Sequence, residues 1–125
     1  MTVDDTVGLM FTSSSVLIGH GLILIIFGVF GLMLSPVRML GKLGREMSPP
    51  QLNIYRICGL WVACAGAVSC YSGAYLESIH QQAVCSLLVL VHFTEVLLKF
   101  QAGRLQNAVG NAVLGVLMLA AAVSG

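Results

Sequence analysis

His92, Glu95 and Lys99 stand three and four residues apart. At about 3.6 residues per turn, that spacing puts an imidazole, a carboxylate and an ammonium on one face of a helix. A carboxylate beside a histidine can do general acid–base chemistry. Glu95 and Lys99 are also an i,i+4 pair in the favourable order, acid before base. Arg56, Asn107 and Asn111 are further polar side chains within apolar sequence. Two readings of these six residues stand open: a proton path, acid/base site or polar ligand pocket, or a satisfied network that fixes the helices. The second is the expectation, because nothing else in the chain completes a reaction site.

The remaining reactive side chains point the same way. His20, His80 and His92 show no metal-ligand spacing, and the cysteines at 58, 64, 70 and 85 form no Cys-x-x-Cys pair. They read as small helix residues, with a Cys70–Cys85 disulfide as the lesser alternative. No catalytic, cofactor-binding or metal-binding residue is assigned.

The elements that position these residues follow from composition. Hydrophobic residues make up 58% of the 125-residue chain and charged residues 9%, against about a quarter charged in soluble domains. The mean hydropathy of +0.95 agrees. No charge falls between Asp5 and Arg38, nor within 57–76, 78–94 or 105–125 apart from the turn at their ends. A membrane helix needs about 20 residues. The expected fold is therefore all-α: an integral-membrane four-helix bundle forming one domain over 1–125, with spans at 16–34, 54–74, 82–98 and 107–123. Glu95 interrupts the third.

Ser35-Pro36 closes the first span, and Ser48-Pro49-Pro50 opens the second helix ahead of the bilayer, with Ser a good N-cap and Pro tolerated in a first turn. Between them, Arg38, Lys42 and Arg45 alternate with Met39, Leu40 and Leu43, which predicts a short interfacial segment. Gly103 marks a tight turn.

All six basic residues fall on one side of this layout: Arg38, Lys42, Arg45 and Arg56 around the first connection, Lys99 and Arg104 around the third. The positive-inside rule then puts both termini, with Asp4, Asp5 and Glu77, on the outer face: lumen, periplasm or intermembrane space. The acidic N-terminus resembles neither a secretory signal nor a mitochondrial presequence, so either the first span is the insertion signal or a leader has been lost. Glu95 lies about 6 Å deeper than Lys99, and Arg56, Asn107 and Asn111 at similar depth. Arg56, His92, Glu95, Lys99, Asn107 and Asn111 are expected to form one polar cluster. His20 and His80 are expected near the outer face, snorkelling or binding a neighbour's carbonyl.

Small residues form stripes. Gly59, Ala63, Gly66, Cys70 and Gly73 recur at four, three, four and three on the second span, Ala108, Ala112, Gly115 and Ala122 on the fourth, and Gly21, Gly28, Gly31 and Ser35 on the first. Such faces let helices approach closely, within the bundle or against another protein. The third span carries Gln81, Cys85, Leu88, His92, Glu95 and Lys99 on one face.

The run Arg56-Ile-Cys-Gly59-Leu-Trp61, followed by His92-Phe93-Thr-Glu95, resembles the small four-span endoplasmic-reticulum scaffold family of ergosterol biosynthesis. That family has an Arg-x-x-Gly-x-Trp element opening one span and a His-Phe-x-x-Glu element in the next. Glu95 comes one residue early for the second element, and the likeness covers residues 56–95. It implies a tethering protein without catalysis of its own. A looser similarity is to DoxX-like four-helix membrane proteins.

The expected function is that of a non-catalytic accessory subunit of a larger membrane complex, with a mitochondrial respiratory-chain complex or the ATP synthase favoured as host. The alternatives are an endoplasmic-reticulum scaffold or lipid-handling protein, and a small proton-coupled enzyme or carrier using Glu95 and His92. Expected partners are other membrane-protein subunits and membrane lipids; neither nucleic acid, a soluble substrate nor a cofactor is expected, beyond structural lipids.

Overall fold

In a computed structural model, residues 12–124 are described except Ala102 and Arg104, and of Asn107 only the backbone. Helix α1 (Ser13–Ile26) continues directly into a π-helical segment (Phe27–Met33). Two five-residue helices follow, α2 (Pro36–Leu40) and α3 (Lys42–Glu46), and then α4 (Pro49–Tyr75), α5 (Ser78–Gln101) and α6 (Leu105–Ser124). The described residues contain no strand. Asp4 and Asp5 lie outside them.

Three helical stretches are long and apolar enough to cross a membrane: Ser13–Met33 with 21 residues, Pro49–Tyr75 with 27 and Ser78–Gln101 with 24. The fourth helix, Leu105–Ser124 with 20 residues, is apolar over Ala108–Ser124; at about 1.5 Å per residue its 20 residues span roughly 30 Å, about the thickness of a hydrocarbon core.

The helices outrun the apolar stretches because caps, not hydropathy, set their ends. At the start of α4, Gln51 Oε1 accepts from the Ser48 backbone N–H at 2.8 Å and from its hydroxyl at 2.9 Å, the reach-back half of a capping box. At the start of α5, the Glu77 carbonyl accepts from the His80 and Gln81 amides, each at 3.0 Å. The π-helical segment carries its characteristic five-residue bond, Leu34 N–H to the Val29 carbonyl at 3.0 Å.

The chain folds as two compact units, Gly19–Cys70 and the pair of segments Met1–Ile18 and Tyr71–Gly125. In the first unit, the later part of α1 runs against α4 backbone to backbone. A Cβ at Gly28 would sit 2.5 Å from the Gly59 carbonyl oxygen and 2.7 Å from the Ala63 nitrogen, and a Cβ at Gly66 would sit 2.6 Å from the Gly21 carbonyl oxygen. Cys70 and Gly66 lie against Gly21 in the same way. Glycine at 21, 28, 59 and 66 allows this approach. Gly41, with φ of 58°, turns the chain from α2 into α3 in a conformation that favours glycine, and Gly44 rests against Val37.

In the second unit, α5 and α6 form a hairpin closed at Gly103, whose φ is 69°. Leu17, Cys85, Met118 and Ala121 make its buried core, flanked by Val84, Leu88 and Val89. The first turn of α1 and the last turn of α4 join it. Ser13 donates to the Ala121 carbonyl at 2.9 Å and Ser14 to the Gly73 carbonyl at 2.6 Å. One end of this unit therefore gathers Ser13, Gly73, Gln81 and Ala121, while Lys99 lies about 27 Å further along α5.

A candidate polar site along α5

The face of α5 that carries Gln81, Cys85 and His92 is its buried face. Gln81 Nε2 donates to the carbonyls of Gly73 and Leu76, both at 2.9 Å. Gly73 is in the last turn of α4 and Leu76 follows its end, where carbonyls have no partner within the helix. Gln81 thus caps α4 from the next helix.

About two turns beyond Cys85, His92 is 5% exposed and Asn111 of α6 is 9% exposed. Their Nδ1 and Oδ1 atoms are 3.2 Å apart. With Asn111 presenting its carbonyl oxygen, the His92 Nδ1–H is the donor. Gly115 makes room beside this pair: a Cβ there would lie 3.3 Å from the Phe93 ring and 3.4 Å from the His92 Cβ. Beyond it, Glu95 and Lys99 pair at 3.8 Å with both side chains roughly half exposed. An ion pair so exposed contributes little to stability.

Of the six residues expected to cluster, His92 meets Asn111 and Glu95 meets Lys99. Arg56 Nη1 donates to Asn53 Oδ1 at 2.8 Å, one turn back on α4. The side chain of Asn107 lies outside the described residues. The Asn53–Arg56 spacing of three was a readable signal for a local partner.

The small-residue positions are engaged inside the units. Gly59 and Ala63 face Gly28, Gly66 and Cys70 face Gly21, and Gly73 faces Ser14 and Ile18. Ala108 is buried and Ala112 half-buried on α6. His20 is buried rather than snorkelling, with its Nδ1 3.0 Å from Ser69 Oγ on the facing helix. His80 is exposed, and no disulfide joins any of the four cysteines. Tyr71 and Tyr75 are exposed one turn apart, their rings 5.0 Å between centroids and tilted by 36°.

Chemically, the arrangement is a set of closed pairs. Among the described residues, no buried side-chain nitrogen or oxygen lacks a hydrogen-bond partner, and no three His, Cys, Asp or Glu side chains converge as metal ligands would. Compared with known proteins, the chain matches no family model and is detectably similar to neither a curated protein nor a solved structure.

Proposed function

We propose that this chain is a non-catalytic integral-membrane subunit that contributes helices to a larger membrane complex, with four spans and both termini on the outer face. The observation that carries the reading is the state of its polar side chains. His92 is bonded to Asn111, His20 to Ser69 and Gln81 to two carbonyls. Groups so engaged hold helices in register; they are not poised for a substrate.

What the chain offers outward is aliphatic. Leu87, Leu90, Leu97 and Leu98 of α5 are all more than half exposed, a surface suited to lipid and to other membrane helices. The proposed host is a mitochondrial respiratory-chain complex or the ATP synthase, assemblies that contain many small helical subunits with little mass outside the membrane. Affinity purification of the tagged chain in mild detergent tests this: co-purification and co-migration with such a complex on a native gel is expected. A lone monomer throughout would overturn it.

A second reading, an endoplasmic-reticulum scaffold, rests on Arg56, Gly59, Trp61, His92 and Phe93. Fluorescent tagging separates the two by compartment.

A further inference from the structure

The first unit contains a groove of about 620 Å³ lined by Ile23, Ile26, Phe27, Phe30, Met39 and, at one end, Ser35 and Arg38. We propose that it holds an acidic phospholipid, with the headgroup phosphate on Arg38 and Ser35 and an acyl chain along Ile23–Phe30.

The lining changes character along its length. Ile23, Ile26, Phe27 and Phe30 recur on one face of α1 and its π-helical extension, whereas Ser35 and Arg38 stand just past the end of that apolar stretch. From Ile23 to Gly31 is about 12 Å, close to the roughly 15 Å depth of one hydrocarbon leaflet. The groove therefore has the polarity profile of a lipid entering from the interface.

Charge selects the headgroup. The unit Gly19–Cys70 carries four basic side chains, Arg38, Lys42, Arg45 and Arg56, and one carboxylate, Glu46. Glu46 is engaged by Lys42 at 4.0 Å. Among the described residues no carboxylate pairs with Arg38, so the cation in the groove is left for an anion from outside.

The groove is open along one side and takes part of a lipid, its headgroup and the first stretch of one acyl chain. A volume of about 620 Å³ is that of a small-molecule site.

The inference rests on the chain lying in a bilayer, not on its belonging to a complex, so purified protein tests it. In a Trp61→Phe background, Phe30→Trp places a single fluorophore in the groove. The full chain is reconstituted into phosphatidylcholine vesicles containing phosphatidylglycerol brominated on its acyl chains, or brominated phosphatidylcholine at the same mole fraction. The acidic lipid is expected to associate about fivefold more strongly, the factor for one basic side chain at the interface. Arg38→Gln should bring the ratio to about one, while Arg38→Lys, and Arg45→Gln outside the groove lining, retain it. A ratio near one in the parent overturns the proposal, and that measurement needs no variant of Arg38. So does weak quenching by both lipids, the outcome if a protein helix fills the groove, or equal loss in Arg45→Gln.

Discussion

Replacing Gly28 by alanine adds one methyl group at a place where the π-helical extension of α1 runs backbone to backbone against α4. The new Cβ would stand 2.5 Å from the Gly59 carbonyl oxygen and 2.7 Å from the Ala63 nitrogen. Ordinary contact begins near 3.4 Å, so the two helices must separate by about 0.9 Å. Both obstructing atoms are backbone, and no rotamer change relieves the clash. In lipid, close packing is a main source of helix association, so the loss falls on the term that holds this unit together. Overpacking of this kind costs about 1–3 kcal/mol, a shift of roughly 5- to 150-fold in the folding equilibrium.

The control lies on the same helix. A Cβ at Gly19 meets nothing within 4 Å, so Gly19→Ala only removes glycine's backbone freedom and should stabilise by about 0.5–1 kcal/mol. The same chemical change thus has opposite signs nine residues apart. Titration with sodium dodecyl sulfate from a mild-detergent micelle, followed by circular dichroism, reads both. Gly28→Ala equal to or more stable than Gly19→Ala would refute the account, because it would mean that α1 and α4 do not meet through glycine. Gly28→Leu should be worse than Gly28→Ala in the same titration.

His92→Leu and Asn111→Leu should each destabilise by about 1–3 kcal/mol, because each strands a buried partner, whereas the double variant should recover part of the loss; a double-mutant cycle giving zero coupling would count against the pair. Gln81→Met should free the Leu76 carbonyl and leave that of Gly73 to Ser14 alone, cost about 1–2 kcal/mol and quicken amide exchange around the α4–α5 turn; unchanged exchange would show that Gln81 caps nothing. Glu95→Gln should change stability by no more than about 0.5 kcal/mol and leave activity of the host complex intact; abolished turnover would instead favour the proton-coupled reading.

Much of the helical layout was legible because charge is excluded from apolar helices, so the gaps between charges nearly draw the elements. The stripe Gly59–Gly73 was legible for a similar reason: small residues at alternating spacings of four and three mark a face that meets another backbone. Which backbone it meets was not written there. Gly21 and Gly28 sit in α1 and its π-helical extension, which are apolar on every face, so no contrast in the sequence singles out the inward one. The partner of His20 was hidden on that account: a lone polar residue in a uniformly apolar helix shows no face until Ser69 of the facing helix is in view. The π-helical turn at Phe27–Met33 has no sequence signal that we can name. On α5 the polar residues themselves drew the inward stripe, so Gln81, Cys85 and His92 were readable as one face. Arg56 was read by depth alone, and depth does not say which neighbour a long side chain takes.

The distribution of polarity is the reverse of what water would select. Among the described residues, seven polar side chains are buried, Ser13, His20, Ser69, Ser72, Gln81, His92 and Asn111, against six apolar ones. In a soluble domain the polar types are mostly outside, and α5 would be turned around, with Leu87, Leu90, Leu97 and Leu98 beneath and Gln81 and His92 in solvent. A hydrocarbon solvent removes the reason to bury leucine, since lipid tails are as apolar as it is. It leaves only the polar groups needing cover, because each unsatisfied one costs several kcal/mol there. Inward serines, histidines and amides with outward aliphatics are then the low-energy arrangement. The same arrangement in water would expose an apolar surface far beyond the few hundred Å² a soluble monomer tolerates. The chain should therefore stay with the membrane fraction through an alkaline carbonate wash and require detergent for extraction. Release into the supernatant would remove the solvent on which the packing of Gly28, the pairing of His92 and the groove beside Arg38 all depend.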